Sequence, residues 1–259
     1  MSIDQLLDHA QSLVTDGKTP ACQVAVARDG ELLAFETFGA ATNNTRFTVF
    51  SATKPIVASA AWLLIGDGLL DITKPVWHYV PEFATNGKEV VTVEQVLLHT
   101  AGFPNAVMDS VEGADAVMRV KRFGEWQLEW EPGTRFEYHA NAAHWVLAEL
   151  IERCTAIDFR DFIEQRVTTP LGLPLLLGIP EEEQQDIADG VRLGEPPPDN
   201  PIAVDTLKFN DPAVRAAGVP GGGGVMTAAT MAHFYQAVLH NPDGLWNDDV
   251  LTDAKTNIR

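Results

Sequence analysis

The sequence predicts an α/β (α+β) fold, in which an antiparallel sheet flanked by helices accompanies a mainly helical region. Two strand-like stretches, Cys22–Arg28 and Glu31–Phe38, are joined by Asp29-Gly30, a dipeptide typical of two-residue hairpin turns. The middle of the chain instead shows apolar residues at helical spacing. After it, the glycine-rich stretch Pro220–Gly224 leads into one more helix. This order predicts α/β material at both ends of the chain.

The other elements follow from the same patterns. Apolar residues at 56, 57, 60, 61, 63 and 64 predict a helix that starts at Ser51 and ends near Gly66 and Gly68. Further helices are predicted over residues 1–14, 92–99, 114–123, 142–154, 158–167 and 227–240. Arg46–Phe50 predicts a third short extended piece, and the acidic, proline-rich residues 180–201 predict a loop.

These elements fit one domain over residues 1–259. With 46% apolar residues, the chain has ample material for a core. We expect residues 1–75 and 205–259 to form an incomplete α/β region. Residues 76–204 are expected to form the mainly helical region beside it.

The charge balance excludes several classes of function. The chain has 18 Lys and Arg against 36 Asp and Glu, a formal net charge of −18. Such a surface repels nucleic-acid phosphates and anionic lipid, so we expect no nucleic-acid partner and no membrane association. The two cysteines, Cys22 and Cys154, are too few for a disulfide scaffold. Since no signal peptide or membrane span is visible, we predict a cytoplasmic protein.

Ser51 and Lys54 are the first candidates for chemistry. A serine hydroxyl needs an adjacent base, and residues three apart on a helix share a face, so Lys54 can reach Ser51. A partly buried lysine loses preference for its charged form and can act as that base. Ser51 also lies at a predicted helix N-terminus, where free N–H groups favour an oxyanion.

The second candidate is Tyr138, which follows the turn Pro132-Gly133 and precedes a strong helix. A tyrosine near a lysine can relay protons. Counting forward from the turn selects Tyr138, whereas counting back from the helix at Ala142 would place His139 there instead. Tyr138 is the preferred choice, and His139 stays open as the alternative.

An ordered series of motifs resembles the serine beta-lactamase-like hydrolases of the class C type, a group that includes D-alanyl carboxypeptidases and family VIII-type esterases. The S-x-x-K signature at Ser51 is the first motif. The matching stretches are Phe50–Lys54, Leu97–Phe103, Pro132–Tyr138, Pro170–Leu173 and Ala217–Thr227. The resemblance covers residues from about 20 to 245 and implies a serine beta-lactamase/transpeptidase-like fold.

The resemblance implies a role for each matching residue. Ser51 would be the acylated nucleophile, Lys54 its base and Tyr138 the proton shuttle. The backbone N–H of Ser51 would form half of the oxyanion hole, and the substrate would also lie against Asn141, Gly222 and Gly223. His99 would be structural, and no cofactor or metal is implied.

The family's third motif, K-T-G or a variant on a late strand, is absent. Lys255-Thr256-Asn257 lacks the glycine and comes too early. We therefore expect a fold that lacks its C-terminal strands, and a chain that is one piece of a longer protein or is completed by a second chain. Apart from such a chain, the expected partner is a small-molecule ester or amide.

Two classes of function remain open. The first is a serine hydrolase with an acyl-enzyme on Ser51, preferably a carboxylesterase, with a beta-lactamase, a D-alanyl carboxypeptidase-like amide hydrolase or an acyltransferase as alternatives. The second is a non-catalytic scaffold or inactive fragment of the same fold. Intact Ser51, Lys54 and Tyr138 favour the enzyme, while the missing third motif favours the scaffold.

Overall fold

A computed structural model describes residues 2–194 and 206–257. The chain opens with helix α1 (Ile3–Thr15), whose first turn is closed by a reciprocal capping pair, Ser2 and Gln5. An antiparallel hairpin follows, made of strands β1 (Ala21–Arg28) and β2 (Glu31–Gly39). Its turn residues have positive φ, 53° at Asp29 and 83° at Gly30, as a mirror-image two-residue turn requires. The predicted hairpin is confirmed.

A second, smaller antiparallel pair joins distant parts of the chain. Strand β3 (Phe47–Thr48) pairs with β4 (Val225–Met226). The predicted extended piece is therefore shorter than Arg46–Phe50, because Phe50 already begins a 3-10 turn, Phe50–Thr53. This pairing brings the glycine-rich stretch beside the start of the next helix.

Helices make up most of the remaining described chain. They are α2 (Lys54–Gly66), α3 (Val93–Leu97), α4 (Ala116–Glu125), α5 (Ala142–Thr155), α6 (Phe159–Ile163), α7 (Pro212–Ala217), α8 (Ala228–His240) and α9 (Asp248–Thr256). A π-helical turn, Glu164–Thr168, extends α6. Further 3-10 turns span Val76–His78, Pro81–Phe83, Lys88–Val90, Glu112–Ala114, Glu181–Glu183, Thr206–Asn210 and Pro242–Gly244. All the predicted helices are present within a few residues, whereas α7 and α9 were not predicted.

The core lies between α2 and α5, which pack against each other. Helix α2 is apolar on nearly all sides and buries residues such as Leu64, as expected of a central helix. Trp145 of α5 is fully buried, and the Trp246 indole N–H donates to the Ser59 carbonyl at 3.0 Å. The hairpin packs on α1 and α8. This confirms the antiparallel sheet flanked by helices.

The predictions of a loop, of no membrane span and of the two regions have different outcomes. Residues 180–194 of the predicted loop hold one short 3-10 turn and an isolated bridge between Arg46 and Ile187, while residues 195–201 lie outside the described part. Within residues 2–194 and 206–257, no helix has the length and apolar character to cross a bilayer. The cytoplasmic location stays a prediction, as does the division into 1–75 plus 205–259 and 76–204.

Candidate active site

Ser51 lies in a tight turn that the fold ties down on both sides. It is the second residue of the 3-10 turn, between β3 and α2. The Thr53 hydroxyl donates to the Phe50 carbonyl at 2.6 Å and accepts the Gly224 N–H at 2.8 Å. The Val49 N–H in turn donates to the Gly224 carbonyl at 2.9 Å. The serine is therefore presented, exposed, on a backbone locked to the glycine-rich stretch.

The three predicted catalytic side chains converge on one atom. The Lys54 ammonium donates to Ser51 Oγ at 3.2 Å, and the Tyr138 hydroxyl donates to the same oxygen at 2.8 Å. Lys54 Nζ also lies 4.9 Å from the centre of the Tyr138 ring. Because Lys54 and Tyr138 both hydrogen-bond to it, the Ser51 hydroxyl can exchange its proton with either side chain.

Burial changes the acidity of Lys54. Its side chain is 7% exposed, and Nζ also donates to the Gly221 carbonyl at 2.6 Å. Loss of hydration lowers the pKa of Lys54 below its usual range, although its interactions with Tyr138 oppose the shift. The neutral amine, which can accept a proton, is thus more accessible at neutral pH than in a free lysine.

The structure places Tyr138, rather than His139, at Ser51. His139 is fully buried, and its Nε2 accepts the Phe103 N–H at 3.1 Å. The other ring nitrogen, Nδ1, therefore carries the proton, which it donates to the Glu137 carbonyl at 2.6 Å. Both ring nitrogens of His139 have partners away from Ser51, and burial lowers its pKa.

His99 lies behind Tyr138 and supports it. Its ring centre is 5.0 Å from that of Tyr138, and its Nδ1 accepts the His139 N–H at 3.1 Å. Its carbonyl accepts the Glu137 N–H at 3.2 Å. Burial, helped by repulsion from His139 and Lys54, lowers the pKa of His99 to about 4. Neutral His99 can therefore act as an acceptor at neutral pH.

A third histidine, His144 on α5, completes this group. Its ring centre lies 5.9 Å from that of His99, and it is 5% exposed. Burial, with Lys54 and His99 nearby, holds the pKa of His144 well below its usual range. Among the described residues nothing hydrogen-bonds its Nδ1. His144 thus contributes a neutral ring beside Lys54, a placement that sequence reasoning missed.

The predicted substrate contacts are Asn141, which touches the glycine-rich stretch, and Gly222 and Gly223 within it. A Cβ on Gly221 would come within 2.6 Å of Asn141 Oδ1, so close approach to Asn141 requires a glycine. The N–H groups of Gly222 and Gly223 both donate to the Val219 carbonyl, at 3.1 and 2.7 Å. Both donors already have a partner, so a role in an oxyanion hole would require them to leave it. The substrate roles of Asn141, Gly222 and Gly223 stay predictions.

Sequence reasoning also missed an aromatic pair beside Ser51, formed by Phe50 and Phe209. Their rings meet edge to face, with centres 5.6 Å apart. No glycine or asparagine marks the unusual backbone of Phe50, and Phe209 lies 159 positions after it, so no local pattern indicated the pair. As for metals, residues 2–194 and 206–257 bring no three His, Cys, Asp or Glu side chains into a group that could hold an ion.

Comparison with known proteins shows similarity to esterases in sequence and in fold. The chain is 28% identical to Esterase EstB of Burkholderia gladioli, over 97% of this chain and 72% of EstB. It is 31% identical to the Esterase/beta-lactamase LipL of Mycobacterium tuberculosis, over 60% of this chain and 33% of LipL. The crystal structure of a family VIII carboxylesterase superposes with a TM-score of 0.81 at 24% identity, over 96% of this chain and 74% of that one.

The family assignment rests on similarity over nearly the whole chain. The solved structure confirms the predicted serine beta-lactamase/transpeptidase-like fold. A sequence model of one family, described as Beta-lactamase, matches residues 3–256. The chain therefore belongs to the Beta-lactamase family, whose members include serine hydrolases of the esterase and beta-lactamase kinds.

Proposed function

We propose that this protein forms an acyl-enzyme on Ser51 and acts as a carboxylesterase on small esters. The observation that carries the proposal is the convergence of Lys54 Nζ and the Tyr138 hydroxyl on Ser51 Oγ, at 3.2 and 2.8 Å. These distances are within the reach that proton transfer requires. The Ser51 hydroxyl is also exposed, on a turn that the fold constrains.

In the first half-reaction, neutral Lys54 removes the proton from Ser51 Oγ as that oxygen attacks the ester carbonyl carbon. The lowered pKa of Lys54 makes its neutral form available for this step. The carbonyl oxygen becomes an oxyanion. The Ser51 N–H, at the start of a helical turn where early N–H groups lack helical partners, stabilises it.

The alcohol then leaves with a proton from Tyr138. As the carbon–oxygen bond breaks, the Tyr138 hydroxyl protonates the departing oxygen and is restored by the proton held on Lys54. In the second half-reaction, water gives a proton to the Tyr138–Lys54 pair as its oxygen attacks the acyl carbon. The bond to Ser51 then breaks, Ser51 Oγ regains a proton, and the carboxylic acid departs. Each proton removed is returned, so the cycle closes.

An ester is favoured over an amide by leaving-group chemistry, because an alkoxide leaves more readily than an amide anion, whose nitrogen must be protonated before it departs. The names of EstB and the family VIII carboxylesterase point the same way. The name of LipL includes beta-lactamase, which supports an amide hydrolase as the second candidate. An acyltransferase would use the same intermediate, with an alcohol or amine replacing water.

Covalent labelling tests the proposal. The purified protein is exposed briefly to a fluorophosphonate, and the adduct is located by mass spectrometry of peptides. We expect an adduct on Ser51 that is absent in Ser51→Ala, slowed in Lys54→Ala and retained in Ser12→Ala, a control at a serine on α1. Turnover of a chromogenic acetate ester and a chromogenic cephalosporin then separates the two candidates. A folded protein with no adduct and no turnover would favour the non-catalytic alternative.

A further inference from the structure

Phe50, the residue before the proposed nucleophile, has a costly backbone conformation. Its φ is 46°, in the left-handed region that bulky side chains rarely adopt. The Thr53 hydroxyl holds its carbonyl at 2.6 Å, so the surrounding structure fixes this conformation. Strained backbone conformations of this kind cluster at functional sites and persist only where the surrounding structure holds them.

With this backbone conformation, the apolar ring of Phe50 is exposed to solvent rather than buried. Phe50 is 41% exposed, although its side chain is large and apolar. Its ring meets Phe209 at 88°, the edge-to-face arrangement that aromatic pairs prefer. A Cβ on Gly222 would lie only 3.6 Å from Phe209 Cζ. Phe209 is itself only 7% exposed and Gly222 is buried, so they back the exposed Phe50 ring, which forms the free apolar surface of this wall beside Ser51.

The rear of this wall is fixed by a buried cation. The Arg215 guanidinium is 5% exposed and donates to the Phe209 carbonyl at 2.8 Å. Its other end pairs with Asp189 at 2.7 Å. Phe209 is thus held in place, and the wall is preformed, as ligand sites generally are.

The position of Tyr138 decides which part of an ester would meet the wall. Among the described ring contacts, Phe50 pairs with Phe209, while Tyr138 pairs with His99. These are two separate aromatic groups, and no described ring contact joins them. Since Tyr138 protonates the leaving alcohol in the proposed mechanism, the alcohol lies on its side. The acyl group then extends toward Phe50 and Phe209.

We propose that Phe50 and Phe209 form an acyl-binding wall that selects esters with bulky apolar or aromatic acyl groups over acetyl esters. This inference rests on the proposed function. Burying an apolar acyl group against the exposed Phe50 ring, which Phe209 backs, is favourable in proportion to the area removed from water. The net charge of −18 disfavours acids that carry a further negative charge on the acyl side.

The test compares esters of one alcohol that differ in the acyl group, and esters of one acid that differ in the alcohol. Phe50→Gly removes the ring and suits the left-handed backbone, so the variant keeps its fold. Its kcat/KM for a phenylacetyl ester should fall about ten-fold, while that for the acetyl ester of the same alcohol should change less than about three-fold. Phe50→Tyr keeps the ring and should keep the selectivity.

A matched control and the possible outcomes separate this inference from the proposed function. Tyr235→Ala removes an aromatic side chain of similar exposure, 45%, on α8, and should change neither ester. An unchanged acyl preference in Phe50→Gly, or a preference that shifts with the alcohol instead, overturns the acyl-binding wall alone. Absence of Ser51-dependent turnover of every ester overturns the proposed function, and this inference with it.

Discussion

The imidazole Nδ1 of His99 accepts the backbone N–H of His139 at 3.1 Å. The same residue accepts the Glu137 N–H on its carbonyl at 3.2 Å. Tyr138 is therefore held at both of its chain neighbours by one histidine. The hydroxyl of Tyr138 reaches Ser51 Oγ at 2.8 Å from a segment that has no helix or strand of its own. The two hydrogen bonds to His99 therefore fix the position of Tyr138, as a helix or strand would elsewhere.

Replacing His99 should damage turnover through the position of Tyr138. His99→Ala removes the acceptor and leaves a less suitable residue at φ 58°. We expect kcat for a chromogenic acetate ester to fall about 10- to 100-fold with little change in KM, because small misplacements of a catalytic group are costly. His99→Asn supplies a side-chain acceptor and tolerates the left-handed backbone, so it should recover most of the loss. Equal loss in both variants would contradict the positioning role.

Stability should depend on pH through the same residue. The pKa of His99 is about 4 in the folded protein against 6.5 for an ordinary histidine. The unfolded chain therefore binds a proton first, and the free energy of unfolding should decrease as the pH falls from about 6.5 toward 4. His139 and His144 act in the same direction. Urea unfolding at pH 7.5, 6.5 and 5.5 should show a smaller decrease in His99→Asn. An identical decrease would exclude His99 as a contributor.

The rate of labelling at Ser51 should report the protonation of Lys54. Burial lowers the pKa of Lys54, and only the neutral amine accepts the serine proton. The fluorophosphonate labelling rate should rise with pH and level off below 10.5, the pKa of an ordinary lysine. Lys54→Ala should label slowly and lose this rise. A wild-type rate that is flat from pH 6 to 9 would argue against Lys54 as the base.

Far from the site, α4 offers a matched pair of arginines for a stability test. Arg119 is fully buried and pairs with Glu149 at 2.7 Å and Glu152 at 2.5 Å. Arg119→Met leaves those carboxylates without it, and should lower the free energy of unfolding by about 3–5 kcal/mol. Arg122 on the same helix makes exposed, solvent-screened pairs, so Arg122→Met should destabilise the protein far less than Arg119→Met. Urea unfolding of both variants measures the difference, and similar costs would contradict this reasoning.

The sequence predicted best those features that depend on contacts between residues close together in the chain. Ser51 and Lys54 are three residues apart at the start of a helix, and this spacing alone places their side chains together. Asp29-Gly30 likewise predicted the hairpin, because its positive φ angles suit few other residues. In both cases the structure-determining interactions lie within a few residues along the chain.

Contacts between distant residues could not be predicted in this way. Tyr138 and His139 differ by one position, and contacts with His99, some 40 residues earlier, decide which side chain faces Ser51. The substrate was predicted to lie against Gly222 and Gly223, and no local pattern indicated that the Val219 carbonyl accepts both of their N–H groups. Helix α9 has a single buried residue, Leu251, which is too weak an apolar pattern to indicate a helix.

The hydrogen bond from Lys54 to the Gly221 carbonyl joins residues 167 positions apart. A ribosome adding 5–20 residues per second needs roughly 10–30 s to make that interval. During this time the nascent chain already carries Ser51 but not the partner that fixes its lysine. Ser51, the proposed nucleophile, is therefore synthesised well before the carbonyl that positions its lysine, so an unfinished chain lacks the complete Ser51–Lys54 arrangement.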